Sequence, residues 1–254
     1  MKQDNKMPIT SHLVELRKRL IISVIAIAAG FGISYNYSVE LFTILARPLP
    51  PGTTFNFIRL IEPFFTYMKL SMLVGIFLAS PVLIYQIWAF IAIGLHENEK
   101  RWVLPIVFSS TILFIGGVLF AYFLVLPFAY GYFLSFSSDI IHPMLSMDEY
   151  FSFITKFLLA FGLVFEMPLF ILLLALLGIV DAKMLSAYRK YAIVAIFIIA
   201  AIVTPTPDAF NQFMMAIPMM ALYEVGIIIV KIFGKKRARG EGGEGTEATS
   251  KPTS

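Results

Sequence analysis

Three carboxylates stand where a membrane chain rarely places them. Glu15 lies in Ser11-His12-Leu13-Val14-Glu15-Leu16-Arg17-Lys18-Arg19-Leu20, directly before the first long apolar run. Glu99 lies in Glu97-Asn98-Glu99-Lys100-Arg101, between the second run and the third. Glu166 lies inside the fourth, in Ala160-Phe161-Gly162-Leu163-Val164-Phe165-Glu166-Met167-Pro168. A carboxylate can meet the planar donor fork of a guanidinium with two parallel hydrogen bonds, whereas an ammonium offers a point charge. Two acids at one interface would make an anionic site for a cationic segment. Local roles fit the same spacing. Glu15 can pair with Lys18 or Arg19 at i+3 and i+4, Ser11 is a candidate N-cap, and Asn98 and Glu99 suit a helix start. Glu166 differs, because an acid inside a membrane span costs about 2.5–3.5 kcal/mol on insertion scales and is a functional candidate by default. Asn211 and Gln212 in the last apolar run are candidate partners for it, or bridges between helices.

Bond-making chemistry finds no support. The chain has no cysteine, which removes disulfides, thiolate metal sites and a thiol nucleophile. Its three histidines, His12, His96 and His142, are scattered and form no H-E-x-x-H pair. No glycine-rich phosphate loop occurs. We expect no enzyme activity, no metal and no cofactor. The formal charge of +4 is too small to point to nucleic acid.

The elements that must hold these acids follow from composition. Hydrophobic residues make up 59% of the 254 residues and charged residues 14%, against about 25% charged in a soluble domain. Such a surface must face lipid. A bilayer core of about 30 Å needs roughly 20 apolar helical residues, and the runs place six spans at 20–39, 64–92, 102–135, 150–177, 190–204 and 208–231. The expected fold is an all-α integral membrane bundle of six transmembrane helices, forming one unit over residues 1–232. The Gly- and charge-rich segment 233–254 has no core and is expected to be a disordered cytoplasmic tail. The first run has a basic flank but no small-residue cleavage site, so it reads as a span and not a removed leader.

Sixteen of the twenty lysines and arginines fall in the N-terminal segment, the 93–101 and 178–190 loops, and the C-terminal tail with Lys231 at the end of the sixth span before it. Both termini are therefore cytoplasmic. The third span, about 34 residues or roughly 50 Å, must tilt, kink or project. The fifth is about 14 residues or roughly 21 Å; spans five and six are both expected to be short and should thin the membrane or shelter behind a partner. No internal repeat supports an inverted-repeat transporter.

At these residues the chain resembles a known family. SHLVELRKRL, the ASPVLIYQIWAFI run (79–91), AFGLVFEMP (160–168) and the region from TPTPDAF-NQ to AIPMMALYEVG (204–226) are similar to the C subunit of the twin-arginine protein translocase, the TatC family. The resemblance covers residues 8–232. It implies a receptor in the bacterial cytoplasmic membrane that binds twin-arginine signal peptides of folded precursors. Such a receptor works with TatA- and TatB-type single-span partners, self-associates, and uses the proton-motive force. By resemblance, Glu15 and Glu99 meet the paired arginines, with Arg17, Arg19 and Phe90 as neighbours. Pro48 and Asp208 match positions tied to translocation, and Glu166 matches the buried acid of the fourth span. Gln212 matches a polar contact for a partner's helix. The run departs from the family at Ile93-Gly94, where a proline is usual, and at Asn98-Glu99-Lys100-Arg101, where a His-Glu-Arg-Arg-like run is common. A small-solute or proton-coupled transporter, motivated by Glu166, is the alternative class; an intramembrane hydrolase lacks a paired nucleophile and base.

Overall fold

The computed structural model describes residues 9–49, 53–94, 103–138, 140, 144–204 and 208–233. Helix dominates because lipid offers no partner for an unpaired peptide group, so each span must satisfy its own backbone. The elements are α1 (Ile9–Tyr35), α2 (Ser38–Ala46), α3 (Glu62–Ile91), α4 (Val103–Phe120) and α5 (Leu126–Leu134), then α6 (Met147–Phe165), α7 (Met167–Leu176), α8 (Ala182–Ala187), α9 (Arg189–Val203) and α10 (Ala209–Phe233). Two two-residue strands, β1 (Phe55–Asn56) and β2 (Leu145–Ser146), pair in parallel with Phe55 opposite Leu145. They tie the 53–61 loop to the start of α6.

Four helical stretches are long and apolar enough to cross a membrane: Glu62–Ile91, Val103–Leu134, Met147–Leu176 and Ala209–Phe233. The first helix, from Leu13 to Tyr35, adds a fifth only when taken together with α2, to which it is bent by 84°. The remaining expected span, α9, has 15 residues, about 22 Å, and falls short of the bilayer core by itself; the sixth span, expected to be short as well, is not, because α10 continues to Phe233 and has 25 residues. The count of six therefore rests on the sequence argument.

Breaks in the helices have local causes. Pro81 sits inside α3 and cannot donate to the Phe77 carbonyl. The Ser80 hydroxyl donates to that carbonyl instead, at 2.7 Å, and the helix continues. A π-helical turn, Ala121–Val125, joins α4 to α5 next to Pro127, as expected for a proline-disturbed ladder. Glu166 itself separates α6 from α7, with Pro168 in the first turn beyond it. Gly178, at φ 73°, turns the chain out of α7, a conformation that other residues resist. One sequence expectation is corrected here. Ser11 lies within α1, which already includes Ile9, so it does not precede the helix as an N-cap.

α6 is the central helix. Phe151, Ile154, Phe157, Leu158 and Phe161 are at most 1% exposed, packed between α3, α4 and the tyrosines of the loop-bearing end. Lipid is as apolar as these side chains, so close packing, not burial from water, holds the bundle. Glycines mark the closest approaches. A Cβ on Gly30 of α1 would stand 2.5 Å from the Gly75 carbonyl oxygen of α3, and one on Gly162 would meet the Phe114 ring at 2.7 Å.

Candidate functional site

The basic end of the bundle holds the first acid. Glu15 lies two turns inside α1, and the Arg19 guanidinium one turn later reaches it, Nη2 to Oε1 at 2.6 Å. The local i,i+4 pairing allowed by the sequence is thus formed. Arg19 also crosses to α3, where Nη1 donates to the Gln86 Oε1 at 3.3 Å. Its Nε is buried with no hydrogen-bond partner. Arg19 is largely covered, at 18% side-chain exposure, whereas Glu15 keeps 36% open. Arg17 is exposed. Phe90 is half-buried and follows Gln86 by four residues on α3, so the two share a face. Glu99 lies outside the described residues. The structure therefore brings Glu15, Arg19 and Gln86 together and places Phe90 beside them.

The second acid sits between helices. The Ser110 hydroxyl of α4 lies near the Glu166 carboxyl. The Ser110 oxygen in turn accepts from Trp88 Nε1 of α3 at 2.9 Å, fully buried. The hydroxyl proton of Ser110 is thereby left for a second acceptor. Glu166 Oε1 remains buried and without a hydrogen-bond partner. Neither Asn211 nor Gln212 meets it. Asn211 donates to Asp208 from both its backbone N (2.8 Å) and Nδ2 (3.0 Å), and Gln212 Nε2 donates to the Phe197 carbonyl of α9 at 3.0 Å.

The other singled-out residues lie at chain turns. Pro48 follows α2, whose last carbonyls are taken by tyrosines from the bundle: Tyr122 donates to Ile44 O at 2.5 Å and Tyr150 to Leu45 O at 2.9 Å. The Pro48 turn is thus clamped onto α6. Asp208 is the N-terminal cap of α10, because Asn211 N is held by its carboxylate. Glu224 forms an ion pair with Arg189 at 2.7 Å, joining α9 to α10. Lys69 pairs with Asp148 at 2.5 Å at the end opposite the basic one.

Gln86, Trp88 and Ser110 escaped the sequence reading. Their signal is the polar or hydrogen-bonding group within an apolar run, the same signal that singled out Glu166. Among the described residues no group of three or more His, Cys, Asp or Glu could hold a metal ion.

Comparison with known proteins identifies the family. Residues 11–218 match the family model described as Sec-independent protein translocase protein (TatC). The chain is 48% identical over 240 residues to the Sec-independent protein translocase protein TatC of Desulforapulum autotrophicum, covering 93% of this chain and 88% of that one. It is 42% identical over 236 residues to that of Aquifex aeolicus, covering 91% and 98%. The crystal structure of a twin-arginine translocase receptor TatC superposes with a TM-score of 0.75 at 42% identity, covering 87% of this chain and 98% of that one. This chain is a multi-pass protein of the bacterial inner membrane, and it belongs to the TatC family of Sec-independent protein translocase proteins.

Proposed function

We propose that this chain is the core receptor subunit of twin-arginine translocation, binding signal peptides of folded precursors at the cytoplasmic face. The observation that carries this reading is the Glu15–Arg19 contact: a half-open carboxylate at the basic end already holds a guanidinium. An arginine of a signal peptide presents the same group to the same oxygens. Gln86 gives the displaced Arg19 side chain an acceptor across the helix interface. Arg17 adds positive charge beside the site, and Phe90 supplies an apolar wall next to it. Glu99, in the neighbouring loop, is the second acid of the site.

An exposed ion pair contributes only about 0–1 kcal/mol. Two such pairs do not account for firm binding, so the apolar part of the signal peptide must add contact along the bundle. TatA- and TatB-type single-span proteins are the partners, with Gln212 of α10 contacting a partner helix. Its Nε2 is spent on Phe197 O, and its Oε1 has no hydrogen bond among the described residues. The short α9 beside it is the face that a partner would shelter. Pro48, Asp208 and Glu166 act in translocation, which the proton-motive force drives. Receptor copies self-associate within the lipid bilayer, and no step involves a cofactor or covalent catalysis.

The test is photocrosslinking of a twin-arginine signal peptide to membranes carrying Glu15→Lys or Glu99→Lys. The expected result is loss or displacement of the crosslink in each. Undiminished crosslinks at the normal position in both variants would overturn the site. Cysteine at position 212 should trap a single-span partner in active membranes; no adduct there would remove the docking assignment.

A further inference from the structure

A groove of about 680 Å³ opens between α1, α3 and α6, lined by Val24, Ala28, Phe31, Met68, Met72 and Leu159. Its volume is in the range of pockets that hold small ligands, about 300–1,000 Å³. Along α3 the lining extends from Phe65 to Ile76, about 16 Å at the helical rise. That is half of a bilayer core of about 30 Å. A helix crossing the whole membrane would find a wall along only half its length. An acyl tail of one leaflet matches that depth.

The upper end of the groove runs into a polar vestibule of about 500 Å³. The two share Phe65 and Lys69, and the vestibule adds Arg59, Glu62, Asp148 and Glu149. Its charges can be accounted for one by one. Glu62 is saturated by the backbone N–H groups of Ile58, Arg59 and Asp148 and by the Ser146 hydroxyl. Lys69 and Asp148 hold each other. Among the described residues, the Arg59 guanidinium and the Glu149 carboxylate have no ion-pair partner. One unspent cation and one unspent anion therefore stand at the mouth of an apolar, leaflet-deep slot. This end lies away from the basic face, and is periplasmic by the distribution of positive charge.

We infer that the groove binds a zwitterionic phospholipid of the periplasmic leaflet. Its acyl tail lies between α1, α3 and α6, its phosphate meets Arg59, and its primary ammonium meets Glu149. An anionic lipid without the ammonium would satisfy Arg59 and leave Glu149 facing a like charge.

The test is native mass spectrometry of the full chain in detergent, with phosphatidylethanolamine and phosphatidylglycerol of identical acyl chains. The native chain should retain one phosphatidylethanolamine, about fivefold in preference to phosphatidylglycerol, as one exposed charge contact allows. Glu149→Lys should reverse the preference, a gain that misfolding cannot produce. Ala28→Trp, which fills the slot, should lose both lipids. Equal retention of the two lipids by the native chain and by Glu149→Lys would overturn the headgroup assignment. A photoreactive residue at position 72 in native membranes should yield a lipid adduct; a protein adduct in its place would overturn the lipid in favour of a partner helix.

Discussion

Arg19 Nη2 lies 2.6 Å from Glu15 Oε1, one turn away on the same helix, while its Nη1 faces Gln86 at 3.3 Å on α3. The receptor thus carries an internal guanidinium on the acid proposed to read the signal. A signal arginine must displace it, and a lysine, without the planar fork, competes less well. Arg19→Gln should strengthen binding of a twin-arginine peptide by about twofold, the scale of an i,i+4 ion pair on a helix. It should also narrow the preference over a twin-lysine peptide. Fluorescence anisotropy of the two labelled peptides on the purified receptor measures both effects. Weaker binding of the twin-arginine peptide would show that Arg19 supports the site and does not compete in it.

The α1–α3 crossing depends on a backbone contact that no side chain can enter. A Cβ on Gly30 would come 2.5 Å from Gly75 O, whereas Gly32, two residues on, faces open space. Gly30→Ala should therefore destabilise the bundle by about 1–3 kcal/mol, the usual cost of overpacking. Gly32→Ala should be neutral or stabilising, because alanine is the better helix former by about 1 kcal/mol. Thermal unfolding in detergent compares the two. Equal effects would mean that α1 and α3 do not approach as described.

The all-helical membrane architecture is legible in the apolar runs, because lipid leaves the backbone no other way to satisfy itself. The Glu15–Arg19 pair is legible in part: spacing offers Glu15 both Lys18 at i+3 and Arg19 at i+4, and the structure selects Arg19. The link from Arg19 to Gln86, 67 residues away, is not. α3 is apolar on nearly every side, so periodicity does not say where Gln86 points. The same holds for Ser110, which faces Glu166 only because Gly117 and Gly162 let α4 and α6 close up. The 84° bend after Tyr35 and the β1–β2 pairing were equally out of reach. The bend is closed by local bonds, Asn36 Nδ2 to Gly32 O and Tyr37 N to Ser34 O, and the strand pair joins loops whose composition carries no period.

At the opposite end, Glu62 accepts from three backbone N–H groups and one hydroxyl, joining α3 to the 53–61 loop and to the start of α6. The neighbouring Lys69–Asp148 bridge is nearly half exposed on both sides, and such pairs contribute little. Glu62→Ala should therefore loosen this end more than Asp148→Asn does. Hydrogen exchange should speed up at the Ile58 and Arg59 amides in the first variant and stay close to native in the second. The reverse order would show that the ion pair, and not the backbone bonds, fastens the loop.

Glu166 sets function against stability. Its Oε1 is buried without a partner, and a buried unsatisfied polar atom costs about 1–3 kcal/mol. A residue retained at that cost in a translocase is expected to act in transport, beside the Trp88–Ser110 hydrogen bond. Glu166→Leu removes the unsatisfied oxygen and leaves Ser110 its bond from Trp88. This variant should melt at or above the native temperature yet export less folded cargo. Thermal unfolding of the purified chain, alongside export of a twin-arginine reporter, reads the two quantities separately. Parallel loss of stability and export would reduce Glu166 to a packing residue. Full export from a stabilised variant would remove it from translocation altogether.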